Sequence, residues 1–395
     1  MTNELTIDFA SPRLAEDKYG YIEELRQQSF YARSERGVVF FNQQEAMHIL
    51  RCIDFRFFFP QINPQTSPYL AESIKNELLG HHGADHRRLQ KLVMRALRDQ
   101  IVEGFRDTIR AMVNDLIDAM PDKGIVDFCE AFAEPIPARV LGPMLGIPYE
   151  DIPEFNEWIR VGGRKVDALR SGDRSMVKIV EDANRNMHDY LRQMLRERRE
   201  NLGKDVFSEL ISAEIDGDRL SEPELVSLAA ELASAGVDTT RAQLPLTLHA
   251  LITHPDQFAM LQTNPSLAAG AVEEGMRYAP LTFALPHSAL RDHEYRGIQF
   301  KEGDIALVFV QAANRDPSAM ENPDVFDITR KKARHFTLGY GMHYCTGAQL
   351  ARMEMTIALE TLVKRIKSWR LVEEPEREPS SKSNAPTKLL IEIEK

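Results

Sequence analysis

Cysteine is scarce in this chain: 3 in 395 residues, at Cys52, Cys129 and Cys345. Three scattered thiols cannot build the disulfide framework of a small secreted domain, and the scarcity fits a reducing compartment. Positive charge is also short. With 49 Lys and Arg against 60 Asp and Glu, the formal net charge of -11 argues against non-specific nucleic-acid binding. No apolar run approaches the ~20 residues that a membrane-spanning helix needs. Residues 1–8 hold neither a basic segment nor the apolar core of a secretory signal, so the expected location is the cytoplasm. There is no internal repeat and no long flexible linker. A chain that is 43% hydrophobic and 28% charged is ordinary globular protein, long enough for one large domain or two.

The periodicity is mostly helical. Helical spacing appears over residues 21–28, 43–50, 84–116, 128–145, 173–201 and 268–278. The longest helix opens at Ser221-Glu-Pro-Glu, where Ser221 and Glu224 form a capping box. Its apolar positions run through Leu225, Leu228, Leu232, Leu244, Leu248 and Leu251 to His254-Pro255. Few positions are polar in its middle, so it should be buried on most sides, with a bend at Pro245. Short alternating runs read as strands near residues 37–41 and 283–310, with a last strand over 388–393. Residues 55–68 look irregular and apolar, suiting a lid over a cavity.

Four stretches carry chemistry. The first is Phe336-Thr-Leu-Gly-Tyr-Gly-Met-His-Tyr-Cys-Thr-Gly347. Gly339, Gly341 and Gly347 frame Cys345 in a tight loop, and a helical pattern follows at once. Backbone N–H groups at a helix start favour an anion, so Cys345 is placed to be a thiolate nucleophile or metal ligand. The second is Ala235-Gly236-Val237-Asp238-Thr239-Thr240 inside the long helix. Either the threonines bond back to carbonyls one turn earlier, or Asp238 and Thr239 pass protons at a widened turn. The third is Glu274-Gly-Met-Arg277, an i,i+3 ion pair, and the fourth a polar meander from Ala313 to Arg330. Zinc held by His335, His343 and Cys345 fits no usual spacing, and a second cysteine pair is lacking. The basic run from His86 through Arg87, Arg88, Lys91, Arg95 and Arg98 reads equally as a solvated face.

Taken together and in order, these motifs resemble those of the cytochrome P450 family, the haem-thiolate monooxygenases, in its soluble bacterial members. The resemblance covers the chain from the early helices to the final strand. It implies a mainly α fold with a small β region, forming a single domain with a long central helix over the haem. The β-rich part would cover about 30–60, 283–312 and 385–395, and the α-rich part about 70–280 and 346–368. It implies haem b with O2 as co-substrate, and Cys345 as the axial thiolate on iron. Phe336, Gly339, His343 and Gly347 would surround that ligand, and Ala235 and Gly236 would lie over the haem face. Asp238 and Thr239 would relay protons to the site of oxygen activation. Glu274, Arg277 and Arg330 would form a structural triad whose loss costs haem incorporation more than turnover.

For the haem propionates the family pattern is met by His86 and by His287, with His343 as a further contact. Gln90 stands where an arginine is usual, and Arg88 or Arg87 would compensate. Since histidine titrates near neutrality, haem retention would then fall as pH rises. Val237, Leu281, Phe283 and Leu285 are the candidate substrate contacts. The implied activity is O2- and electron-dependent hydroxylation of a small or medium-sized organic substrate in specialised metabolism or catabolism. Oxidative coupling or desaturation is the alternative within the family, and a non-catalytic haem sensor or carrier the alternative outside it. The chain has no flavin or iron–sulfur segment, so ferredoxin and ferredoxin reductase would supply electrons, through a face made basic by residues 330–334 and Arg352.

Overall fold

A computed structural model describes residues 4–98, 103–215, 217–331, 334–377 and 384–395. Lys332 and Ala333, inside the basic run 330–334, lie outside the described residues. Contacts divide the chain into two compact units, one of residues 1–58, 273–345 and 381–384, the other of residues 59–272, 346–380 and 385–395.

The first unit is built on a five-stranded sheet in the order Tyr31–Ser34, Gly37–Phe40, Ile305–Phe309, Ala284–Ala289, Phe55–Phe57. Neighbours are antiparallel, except that Gly37–Phe40 and Ile305–Phe309 run parallel with Ala306 opposite Val38. Side chains alternate across a strand. Val38, Phe40, Ala306 and Val308 therefore enter one apolar core, and Val39, Phe41, Leu307 and Phe309 another. The helix Gln43–Arg51 covers the first face with Ala46, Ile49 and Leu50. Residues 55–57 start the stretch expected to be irregular. They form the edge strand instead, with Phe55 opposite Ala289 and Phe57 opposite His287. Three residues are too few for a period of two to show.

The second unit is organised on the helix Glu222–Ile252, 31 residues long. The Glu224 carboxylate accepts from the Ser221 N–H at 2.7 Å and from its hydroxyl at 2.9 Å, as the capping box predicts. The helix runs on through Pro245, even though proline gives the Arg241 carbonyl no donor. Burial explains the tolerance: Ala242, Gln243, Leu244, Leu246, Thr247 and Leu248 are all packed inside. Helices Pro135–Leu145, Ile152–Gly162 and Arg174–Glu200 pack against it. A three-stranded sheet orders Ser368–Leu371, Leu390–Glu394 and Lys123–Asp127. Only the last-arriving strand, Leu390–Glu394, was visible in the sequence; its partners are short and carry glycine or charge. Among the described residues, no helix is long and apolar enough to cross a membrane.

Candidate functional site

The cysteine loop belongs to the first unit and is anchored at its start. Phe336 is fully buried in the sheet core, edge-on to Tyr340 at 5.7 Å. Its ring thus holds the loop to the sheet. Gly339 and Gly341 have φ of +73° and +69°. A Cβ at Gly339 would stand 2.8 Å from the His343 carbonyl oxygen, and one at Gly341 2.6 Å from that of Leu50. Both strain and space exclude any other residue there. The Cys345 N–H closes the loop on the Leu338 carbonyl at 2.8 Å, leaving Cys345 half-buried. Gly347 differs. At φ −86° it precedes the helix Ala348–Arg365, and a Cβ there would meet nothing within 4 Å.

A buried network sets the position of this loop. Asn314 is fully buried. Its Oδ1 accepts the Phe336 N–H at 2.7 Å, while its Nδ2 donates to Thr337 Oγ1 at 3.1 Å and the Arg277 carbonyl at 3.2 Å. Arg277, also fully buried, holds Glu274 with two bonds of 2.8 and 2.7 Å. It further donates to the carbonyls of Asn314, Pro323 and Val325. Arg330 completes the cluster, its Nε 3.3 Å from Glu274 Oε1 and its other nitrogens on the carbonyls of Glu321, Asn322 and Val325. The structure therefore brings Glu274, Arg277 and Arg330 together. It also takes Arg330 away from the basic face expected of residues 330–334, since its guanidinium is spent inward. His287 is buried on the strand Ala284–Ala289, its ring 5.8 Å from Phe57 and 6.3 Å from His343.

In the second unit, the stretch Ala235 to Thr240 lies where the long helix changes character. Ala235 and Thr239, one turn apart, are exposed in the middle of an otherwise largely buried helix. The Thr239 hydroxyl donates to the Ala235 carbonyl at 2.7 Å, the back-bonding pattern of a mid-helix threonine. Asp238 accepts from Arg241 Nε at 3.1 Å. A Cβ on Gly163 would come within 2.1 Å of an Asp238 oxygen, so that glycine makes room for the carboxylate. Gly236 turns toward Leu141, whose methyl would lie 2.3 Å from an added Cβ. Its lack of a side chain serves helix packing. Val237 is buried beside a cavity of about 10 Å³ lined by Leu141, Ile152, Phe155 and Ile159. That is room for one water at most. At 100° per residue, a position two beyond Ala235 points to the far side of the helix, so Val237 is a packing residue and not a substrate contact.

The early basic helix is Gly83–Ala96. Burial lowers the His86 imidazole to about 4. Arg88 pairs with Asp218 at 3.3 Å and with Glu224, the capping residue of the long helix. The guanidinium expected to compensate for Gln90 is thus committed to two carboxylates. Phe283 stacks edge-on to Phe309 at 4.6 Å and to Phe9 at 6.0 Å, and Leu285 packs on the core around Phe336. Leu281 is buried, its carbonyl accepting the Asn384 N–H at 3.0 Å. Phe283 and Leu285 are thus held by the sheet of the first unit.

Two functional candidates went unread in the sequence. One is Asn314, which lay in the recognised meander without a role. The other is Glu354 on the helix Ala348–Arg365, which is 1% exposed, bonds Thr240, and is pushed up to about 8 by burial. A glutamate in a helix signals nothing by itself. Cys129, by contrast, is a plain core thiol, raised to about 12 by burial.

The profile of the family described as "Cytochrome P450" matches residues 164–394. The chain is 34% identical to the polyketide biosynthesis cytochrome P450 PksS of Bacillus subtilis (strain 168), over 77% of this chain and 73% of that one. It is 31% identical to luteothin monooxygenase of Streptomyces thioluteus, over 91% and 89% of the two. The solved structure of P450BioI in complex with hexadec-9Z-enoic acid ligated acyl carrier protein superposes with a TM-score of 0.90 at 28% identity, covering 97% of this chain and 100% of that one. A glycine-framed cysteine, a buried Glu-Arg-Arg cluster and these likenesses converge: the chain belongs to the cytochrome P450 family, has its fold, and is a haem b monooxygenase with O2 as co-substrate.

Proposed function

We propose that the enzyme hydroxylates a small or medium-sized organic molecule of specialised metabolism, with Cys345 as the ligand of the haem iron. The observation that carries this is the loop from Phe336 to Cys345, anchored in a core at one end and turned by two left-handed glycines onto a half-buried thiol. The residues present fit a haem. The donor set is a thiol in a loop whose two left-handed turns only glycine can make, with the imidazoles of His287 and His343 adjacent to each other. Bound haem supplies O2 activation, its thiolate ligand favouring O–O cleavage. His287 and His343 would hold a propionate as hydrogen-bond donors, and His86, in the second unit, is a separate candidate donor. Arg88 has no part in this.

The protein's own contribution to chemistry is proton handling and exclusion of water. Thr239 Oγ1 is exposed on the long helix and already paired with the Ala235 carbonyl, so a small rotation lets it donate elsewhere. Asp238 is oriented by Arg241 and would take up a proton from solvent and pass it on to that hydroxyl. The polyketide-biosynthesis and luteothin names of two relatives support specialised metabolism as the substrate class. The family draws electrons from separate redox partners. We assign these as a ferredoxin and its reductase, and place the enzyme in the cytoplasm with them.

The test has two arms on the reconstituted enzyme. Cys345→Ala is expected to abolish the thiolate-type spectrum of the reduced carbon monoxide complex, and an unchanged spectrum overturns the assignment. Thr239→Ala is expected to keep that spectrum while diverting most reducing equivalents to hydrogen peroxide. Unaltered coupling of NADH to product removes Thr239 from proton delivery.

A further inference from the structure

A second cluster of ligating side chains lies in the first unit. His48 and Cys52, four residues apart, share one face at the end of the helix Gln43–Arg51, as i,i+4 spacing requires. Opposite them stands His293, on the short strand His293–Tyr295. One ligand atom from each of the three lies within 4.8 Å of the other two, and the two imidazole Nε2 atoms are 3.5 Å apart. Two nitrogens bonded to one tetrahedral zinc ion at about 2.0–2.1 Å stand about 3.3 Å from each other. The rings are already at that spacing.

The surroundings prepare these atoms to coordinate. His293 Nδ1 is 3.0 Å from Asp54 Oδ2. A carboxylate there fixes the proton on Nδ1 and leaves the Nε2 lone pair facing His48, the carboxylate–histidine arrangement of metal sites. Asp54 is itself held by Arg291. The His48 ring stacks on Tyr295 at 3.9 Å with an 18° tilt, and the His293 ring meets Phe55 edge-on at 5.1 Å. Neither imidazole can turn away cheaply. All three ligands are half-buried, so an ion can enter and one coordination position stays open to water.

We infer that His48, Cys52 and His293 form a binding site for Zn2+, separate from the haem site. Binding forms two Zn–N bonds and one Zn–S bond, the Cys52 thiol releasing its proton to solvent and water filling the fourth position. A thiolate with two imidazoles suits borderline-soft zinc better than magnesium or calcium. The ion staples the helix Gln43–Arg51 to the hairpin of His293–Tyr295 and Ile298–Phe300. That helix also underlies the cysteine loop, since the Leu50 carbonyl sets the space at Gly341.

The test uses chelator-treated holoenzyme and Zn2+ alone. Calorimetric titration is expected to give one equivalent bound, and zinc-edge X-ray absorption one sulfur at about 2.3 Å with two nitrogens at about 2.0 Å. Zinc is expected to slow alkylation of Cys52 at least 10-fold, read by peptide mass spectrometry, without any substitution being made. Asp54→Asn should weaken binding 10- to 100-fold. No stoichiometric uptake, a zinc shell without sulfur, or unchanged Cys52 alkylation each overturns the site.

Discussion

Glu354 shows how much a single residue can cost and how that cost is read. Its side chain is 1% exposed, with the Thr240 hydroxyl as partner, and its Oε1 has no hydrogen bond among the described residues. Ionising it there means placing a charge out of water, which is why it is pushed up from 4.5 to about 8. The folded state then keeps a proton that the unfolded chain gives up. Stability from this group is full below about pH 4.5 and falls as pH rises toward 8, by about 1.4 kcal/mol per unit. Glu354→Gln has no proton to lose. Urea unfolding of the holoenzyme between pH 5.5 and 8 should give the variant a flatter curve by about that slope. Parallel curves would show that Glu354 does not titrate across this range.

Among elements, the meander between Ala313 and Arg330 links the ion cluster to the cysteine loop, and Asn314 is the joint. Asn314→Ala strands the buried N–H of Phe336, at about 1–3 kcal/mol for a group left unpaired, while Thr337 keeps its bond to the Met276 carbonyl. We expect haem transfer to an acceptor protein to speed up about 10-fold, with Asn314→Asp in between because it keeps the acceptor for Phe336. A fall in melting temperature without faster transfer would make Asn314 a structural residue only. This element also shows what a sequence can reveal. Cys345, Gly339, Glu274 and Arg277 were legible because their chemistry tolerates few substitutes at fixed spacing. Asn314 was not, since its partners lie 22 and 37 residues away. His48 and Cys52 carried a readable i,i+4 spacing, but only the fold brings His293 to them. Val237 misled because its place in the oxygen motif outweighed its helical phase. The short strands escaped because pairing, not local propensity, makes them.

On the scale of the whole molecule, two electrostatic terms would compete if the electron donor is the acidic ferredoxin proposed above. The formal charge of -11 repels it at long range. Local basic residues attract it at close range. Arg330 is spent on Glu274, but Arg334 is exposed, its guanidinium 5.8 Å from the Tyr340 ring beside the cysteine loop. Salt separates the two terms by sign, because about 0.1 M salt screens beyond ~10 Å. If local attraction governs docking, raising salt from about 0.02 to 0.3 M should lower kcat/KM for ferredoxin several-fold. Arg334→Glu should then lower it about 5- to 10-fold at low salt and flatten the salt profile. If net repulsion governs, the rate rises with salt and the substitution changes little. That second outcome would move the electron donor away from this surface, leaving the haem chemistry untouched.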